Sequence, residues 1–221
     1  MSATQEIEAL ILVPTPLELE LLLPHFGSHL GVALAPCGFG PVGAATMTQY
    51  LLQRHHPKRV VLAGIAGSFS EDLQCGQCYT YESVLLDGIG VHGHDGIISP
   101  EELGFSHCYN GTTPYESIVH RELRLQLCTQ VHSAAALLTV CAASGTPDMA
   151  NARRRAYPQA TTEDMEGYGV AMACAVSQIP LTILRGISNR AGIRDKQKWM
   201  IKEALESVGE AIRNWHAAGW R

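Results

Sequence analysis

Charged residues are scarce in this 221-residue sequence, where 17% are Asp, Glu, Lys or Arg, against about a quarter in an average soluble domain. The 16 basic and 21 acidic residues give a net charge of −5, and no five like charges stand together. This pattern excludes the basic stripe of nucleic-acid-binding proteins and the polybasic patch of membrane-surface proteins. We therefore expect a small-molecule partner, with no nucleic acid and no membrane.

Long apolar runs are also missing, since no stretch approaches the roughly 18 residues that a transmembrane helix needs. The first ten residues lack the basic and apolar regions of a secretory signal. Seven cysteines are an odd number, which fits reduced thiols better than a disulfide framework. The sequence therefore predicts a cytoplasmic protein.

Short apolar runs rich in β-branched residues recur along the chain, and several precede helical patterns. The predicted strands are 9–13, 32–35, 60–63, 79–86, 137–142 and 181–187. A helix is predicted from Ile201 to Trp215, where apolar residues repeat at spacings of three and four, and another from about Met165 to Ser177. This alternation predicts an α/β fold, a three-layer α/β/α arrangement around a central mixed sheet, as a single domain over residues 1–221.

Three motifs could indicate two other chemistries, a dinucleotide site and a zinc site. The segment Gly38 to Gly43 reads G-x-G-x-x-G after a predicted strand, but the acidic residue of a dinucleotide site is missing about 20 residues later, which favours a structural turn. Cys75 and Cys78 form one C-x-x-C, and a His-x-His-Asp begins at His92. Without a second cysteine pair the spacing of a four-ligand zinc site is absent, so we predict no metal and no cofactor.

Polar residues also stand near the ends of predicted strands. Glu18 follows the first strand, a Gly-rich turn is predicted at Gly64 to Gly67, Glu166 follows Asp164, and Asn189 follows the last strand. Taken singly, each acidic or amide residue fits a helix cap or a turn. Together they predict a ligand site, because the carboxyl ends of strands in α/β sheets form the usual binding crevice.

The order of these motifs, including Asp-Met-Glu-Gly and Arg-Gly-Ile-Ser-Asn, resembles the purine nucleoside phosphorylase and nucleosidase superfamily over nearly the whole chain. The segments CGFGPVGAA (37–45) and ISNRAGIRDKQKW (187–199) look most like the futalosine hydrolase branch, the N-glycosidases of the alternative menaquinone pathway. The resemblance implies a nucleosidase that releases hypoxanthine from futalosine without a cofactor. It also implies a homodimer or larger homo-oligomer.

The resemblance assigns roles on the sugar side of the scissile bond. Glu18 would activate the attacking water, Met165 would pack against the ribose, and Glu166 would accept hydrogen bonds from the ribose hydroxyls. On the base side, the backbone of Ile65, Ala66 and Gly67 would line the pocket.

Asn189 would face N7 and O6 of the purine. An amide accepts from a protonated N7 and donates to a 6-oxo group, whereas relatives that cleave 6-aminopurine nucleosides usually carry Asp at this position. Asn189 therefore favours hypoxanthine over adenine.

Hydrolysis is favoured over phosphorolysis because no Arg or Lys precedes Arg54, although Arg54 or Arg59 could supply a phosphate site. A methylthioadenosine/adenosylhomocysteine nucleosidase, a purine nucleoside phosphorylase and a nucleoside-binding protein remain alternatives. Tyr157, with Met149 as a substitute, is the candidate to stack on the base. The loop 87–115 is the candidate to bind the 5′ substituent.

Overall fold

A central mixed sheet organises the computed structural model, which describes residues 6–26, 31–94, 96–109 and 117–221. The strands are β1 Ala9–Val13, β2 Val32–Pro36, β3 Val60–Ser68, β4 Cys78–Leu86, β5 Val91–His92, β6 Ile97–Ile98, β7 Cys108–Tyr109, β8 Ser117–Val119, β9 Glu122–Arg124, β10 Ser133–Thr139, β11 Ala160–Asp164 and β12 Leu181–Arg190. Eight of them form one sheet in the order β11-β10-β4-β12-β3-β1-β2, with β9 beside β4, while β5–β6 and β7–β8 are short separate pairs.

Helices cover both faces of this sheet. They are α1 Pro16–Leu22, α2 Pro41–His55, α3 Pro147–Ala156, α4 Gly167–Val176 and α5 Ile201–Ala217, with 3₁₀ turns at Leu23–His25 and Lys196–Lys198. Alternate residues of β1 point to opposite faces: Leu10 packs with α2 and α4, and Ile11 packs with α1 and α5. The predicted three-layer α/β/α architecture around a mixed sheet is confirmed.

The predicted apolar stripe of α5 is buried against the sheet, where Leu205, Val208, Ile212 and Trp215 belong to the second core cluster. Helices α2 and α4 pack closely because residue 169 is glycine. A Cβ there would collide with the carbonyl oxygen of Pro41.

The prediction of a Gly-rich turn at Gly64 to Gly67 is wrong. Strand β3 continues through these residues to Ser68, because Gly67 pairs with Glu163 of β11 on one side and Asn189 of β12 on the other. The β3–β11 pairing links the two ends of the path β11-β10-β4-β12-β3. The backbone of residues 65–67 is therefore extended, with β12 paired to all three residues and β11 paired to Gly67.

The last strand also runs further than predicted, to Arg190 rather than Ile187. Its register against β3 shifts between Ile187 and Asn189, so that one residue is unmatched as in a β-bulge. The bulge leaves Ser188 and Asn189 inside a paired strand instead of in a turn, and both are buried.

Helix α3, strand β11 and the short strands β5 to β9 were not predicted. Strand β10 begins four residues before the predicted strand 137–142. In the described part of the chain, every helix is too short or too polar to form a transmembrane span. The described ranges include all seven cysteines and contain no disulfide.

Candidate active site

A cavity of about 600 Å³ opens where β1, β3, β11 and β12 end. Its lining is mostly apolar, with acidic and amide side chains among the polar groups. The lining residues are Pro14, Thr15, Leu17, Glu18, Phe39, Ile65, Ala66, Gly67, Ala143, Ser144, Glu163, Asp164, Met165, Glu166, Ser188, Asn189, Arg194, Lys196, Trp199 and Ile201. All seven site residues predicted from the sequence are among them, so the fold brings together positions up to 171 residues apart in the chain.

Glu18 reaches the cavity from the first turn of α1. Thr15 caps this helix, and its hydroxyl donates to Glu18 Oε2 at 2.6 Å while accepting from the Glu18 backbone N–H at 3.3 Å. The backbone N–H of Ile65 donates to Glu18 Oε1 at 3.0 Å. These bonds fix a buried carboxylate and leave each oxygen a lone pair with which to accept from a further donor.

Glu166 stands at the N-cap of α4, and its carboxylate is held from two sides. The backbone N–H of Gly40 donates to Oε1 at 3.0 Å, and Arg185 Nη2 donates to Oε2 at 3.2 Å. Burial, helped by the nearby carboxylates of Asp164 and Glu18, raises the pKa of Glu166 to about 7 against the opposing effects of Arg185 and the Gly40 N–H. The carboxylate is therefore charged only in part near neutral pH.

The segment Gly38 to Gly43 has its function here. It is a tight turn between β2 and α2, in which Gly40 adopts a φ of 82° that favours glycine and presents its N–H to Glu166. The structural turn favoured over a dinucleotide loop thus contributes to the cavity.

Arg185 connects the acidic residues behind the cavity. Its side chain is fully buried on β12 and donates to Asp164 Oδ2 at 2.5 Å as well as to Glu166. Burial alone would lower the pKa of Arg185, but the carboxylates of Asp164, Glu166 and Glu18 outweigh it and raise that pKa. A Cβ at Gly64 would clash with Arg185 and lie 2.7 Å from Glu18 Oε1, so only glycine leaves room for both groups.

Asp164 is engaged by the protein on both oxygens. Thr139 donates its hydroxyl to Oδ1 at 2.7 Å, and the Gly167 backbone N–H donates to Oδ2 at 2.8 Å beside the Arg185 bond. We infer that Asp164 positions Arg185 and the start of α4 rather than a ligand.

Asn189 is oriented by its neighbours in the bulge. Ser188 donates its hydroxyl to Asn189 Oδ1 at 2.8 Å, and Asn189 Nδ2 donates to the carbonyl oxygen of Arg190 at 2.8 Å. Oδ1 retains one lone pair and Nδ2 retains one hydrogen for a ligand. The amide therefore has one acceptor and one donor available for a ligand.

Several sequence-derived candidates lie elsewhere. Tyr157 is buried in the third core cluster with its hydroxyl on Asp87 at 2.9 Å, and Met149 is not among the lining residues. Arg54 bonds Tyr50 on α2, and Arg59 bonds Glu8, so neither cation lines the cavity.

The loop 87–115 contributes no residue to the cavity within its described part, and residues 95 and 110–115 lie outside the described residues. Within the described ranges, no three His, Cys, Asp or Glu side chains are arranged to bind a metal.

The sequence motifs predicted no role for Arg185, for Phe39 and Trp199 in the lining, or for Arg194 and Lys196 at its exposed end. A signal for Arg185 was present, because a lone charge inside the apolar run LTILRGI requires buried counter-charges. The lining aromatics Phe39 and Trp199 lie in the segments 37–45 and 187–199 that carry the family resemblance, but no local pattern indicated that they line a cavity.

Comparison with known proteins identifies the family. Residues 24–218 match the model of the Phosphorylase superfamily. The futalosine hydrolase of Streptomyces coelicolor is 30% identical over 195 residues, covering 82% of this chain and 77% of that protein. The futalosine hydrolase of Acidothermus cellulolyticus is 34% identical over 177 residues, covering 79% of this chain and 71% of that protein.

A solved structure supports the fold. The 5′-methylthioadenosine/S-adenosylhomocysteine nucleosidase of Helicobacter pylori, crystallised with butyl-thio-DADMe-Immucillin-A, superposes with a TM-score of 0.78 at 13% identity and covers 98% of this chain and 100% of that chain. The family resemblance predicted from the sequence motifs is confirmed. This chain belongs to the Phosphorylase superfamily and, within it, to the family of the futalosine hydrolases.

Proposed function

We propose that this protein hydrolyses the N-glycosidic bond of futalosine and releases hypoxanthine and dehypoxanthine futalosine. One observation carries the proposal: Glu18, Glu166 and Asn189 line the same cavity, which at about 600 Å³ is large enough for a substituted nucleoside. The names of the futalosine hydrolases in the same family support the choice of substrate.

The two glutamates act on the sugar side of the scissile bond. Cleavage of a ribose–purine bond passes through an oxocarbenium-like transition state, which nearby carboxylates stabilise. Ionised Glu166 accepts charge-assisted hydrogen bonds from the ribose hydroxyls and Met165 packs against the ring. Glu18, oriented by Thr15 and the Ile65 N–H, removes a proton from water as the water attacks the anomeric carbon.

Asn189 and the extended backbone of residues 65–67 bind the leaving purine. As the bond between the anomeric carbon and N9 breaks, the purine keeps the electron pair and N7 takes a proton from solvent water. The free lone pair of Asn189 Oδ1 then accepts from the N7–H, and the remaining hydrogen of Nδ2 donates to the 6-oxo group. The 6-amino group of adenine would place its N–H donors against the Nδ2–H donor of Asn189. Two buried donors that face each other disfavour the binding of adenine. Ser188 fixes this orientation by donating to Oδ1.

Water is the proposed nucleophile because the two cations that sequence analysis left open as phosphate ligands, Arg54 and Arg59, are bonded elsewhere. Arg185 is occupied by Asp164 and Glu166, which leaves Arg194 and Lys196, at the exposed end of the lining, as the cations that phosphate could reach. We expect the reaction to need neither phosphate nor a metal.

We further propose that the protein works as a homodimer or larger homo-oligomer in the cytoplasm. Apolar side chains of α2 and its preceding turn are exposed, with Phe39 67%, Val42 78% and Tyr50 52% accessible, as is common at subunit interfaces. Light scattering after size exclusion should give an oligomer for the natural protein and a monomer for Val42→Glu.

The test of the proposed reaction is a substrate panel. The purified protein is incubated with futalosine, inosine and methylthioadenosine, with and without phosphate, and the released base and sugar are identified by mass spectrometry. We expect hypoxanthine and an unphosphorylated sugar product from futalosine at equal rates under both conditions. Adenine as the main product would assign a methylthioadenosine nucleosidase, and a sugar 1-phosphate would assign a phosphorylase.

A further inference from the structure

Two cationic side chains, Arg194 and Lys196, line the exposed end of the cavity without a counter-charge. Neither forms an ion pair within the part of the chain that the structure describes. Asp195, between them in sequence, is engaged with Lys198 at 3.5 Å and caps the 3₁₀ turn through the Gln197 N–H. The cavity therefore presents net positive charge at this end.

The acidic residues of the cavity do not supply the missing counter-charge. Glu163 pairs with Arg153 at 3.0 Å, and Asp164 and Glu166 pair with Arg185. Three of the four lining carboxylates are thus paired with cations, and the fourth, Glu18, is held by the Thr15 hydroxyl and the Ile65 N–H, while Arg194 and Lys196 remain available to a ligand.

The segment carrying these cations is anchored to the fold. Trp199 donates its Nε1–H to the carbonyl oxygen of Ile193 at 2.9 Å, and the Met200 N–H donates to Ser188 O at 2.8 Å. A Cβ at Gly192 would lie 2.5 Å from Thr146 O, so the segment rests directly on the start of α3. The guanidinium carbon of Arg194 lies 5.2 Å from the centroid of the Trp199 ring, within cation–π range.

The ligand chemistry follows from this charge. A 6-oxopurine and a ribose are both neutral near pH 7, so neither part of a nucleoside accounts for two unpaired cations. A substituent at the 5′ end of the sugar would bring an anion to them as part of the same substrate. Trp199 beside Arg194 adds a flat apolar surface, which suits an aromatic group next to that anion.

We propose that Arg194 and Lys196, with Trp199 as the packing surface, form a 5′ subsite for a carboxylate-bearing aromatic arm. This inference rests on the proposed function, and it deepens it, because the 5′ arm of futalosine ends in a carboxyphenyl group. It also replaces the loop 87–115, the sequence-derived candidate, with the segment 194–199. The neutral 5′ methylthio group of methylthioadenosine has no charge for these cations to recognise.

The experiment removes the positive charge from the protein and, separately, the negative charge from the substrate, and compares the resulting values of kcat/KM. Arg194→Met and Lys196→Met keep the aliphatic length and remove the cation, and Lys198→Met is the matched control because Lys198 faces Asp195 outside the cavity lining. Each protein is assayed with futalosine and with its carboxylate methyl ester. Circular dichroism and the thermal midpoint establish that each variant is folded.

We expect Arg194→Met to lower kcat/KM for futalosine about 10- to 100-fold, mainly through KM, since a hydrogen bond to a charged group contributes about 1.5–3 kcal/mol. The methyl ester should be cleaved by Arg194→Met and by the natural protein within about twofold of each other, because the ester lacks the charge that the subsite binds. Arg194→Lys should restore part of the loss, and Lys198→Met should behave as the natural protein.

Equal losses of kcat/KM for futalosine and its ester in Arg194→Met would overturn the subsite, as would no loss for either substrate. Activation by phosphate that disappears in Arg194→Met would also overturn it and make these cations a site for a phosphate nucleophile. If the natural protein releases no hypoxanthine from futalosine, both the proposed function and the subsite are refuted. Normal turnover with an unaffected Arg194→Met refutes the subsite alone.

Discussion

The raised pKa of Glu166 makes binding of the ribose depend on pH in a defined direction. Burial raises the pKa of Glu166 to about 7, and accepting from the ribose hydroxyls requires the ionised form. A single group with that pKa is about 10% ionised at pH 6 and about 90% at pH 8, so kcat/KM should rise about ninefold over this interval.

The bound nucleoside should move this transition to lower pH. Two hydroxyl donors stabilise the carboxylate and lower the pKa of Glu166 in the complex. The rise in kcat, which reports the complex, should therefore occur at lower pH than the rise in kcat/KM, which reports the free enzyme.

The most specific assay is calorimetry of futalosine binding to the Glu18→Gln variant at pH 6 in buffers of different ionisation enthalpy. Binding should release about 0.5–0.9 proton per site at pH 6 and about 0.1 at pH 8, the range allowing for the lost charge of Glu18. Glu166→Gln should abolish the release. A kcat/KM that stays level between pH 6 and pH 8, together with no proton release, would refute the reasoning.

Three further substitutions test separate parts of the account. Glu18→Gln should leave futalosine affinity nearly intact while lowering turnover at least about 10²-fold, and unchanged turnover would remove Glu18 from the mechanism. Asn189→Asp should shift the ratio of kcat/KM for adenosine over inosine upward by at least about tenfold, and a constant ratio would mean that the base is recognised elsewhere. Gly169→Ala should lower the free energy of unfolding in urea by about 1–3 kcal/mol because its Cβ meets Pro41. Gly43→Ala, whose Cβ would meet nothing within 4 Å, is the control and should not destabilise.

The elements predicted correctly from the sequence are those whose own apolar pattern is typical of a strand or a helix. Strand β1 is a continuous apolar run, and α5 repeats apolar residues at helical spacing. Strand β11, with the sequence ATTED, has no such pattern and forms by pairing with both β10 and β3. Helix α3 buries only Ala150, so its periodicity was weak, although Thr146 and Pro147 are good start signals.

The candidate site likewise contains residues that the sequence predicted and contacts that it did not predict. Glu18, Glu166 and Asn189 stood out because each follows a strand in an order that resembles a known superfamily. The contacts that hold them were not predictable, since the Gly40 N–H reaches Glu166 across 126 positions and the Ile65 N–H reaches Glu18 across 47. Lining by Trp199 likewise depends on how one loop packs against α3, which no local pattern encodes.

In the proposed complex, two carboxylates and one amide surround a single nucleoside. A crystal structure of Glu18→Gln with futalosine tests it most directly. We expect Glu166 oxygens within about 3 Å of both ribose hydroxyls, Asn189 at similar distance from N7 and O6, and residue 18 beside a water below the anomeric carbon. Futalosine bound with its ribose away from Glu166, or with its purine away from Asn189, would contradict the account.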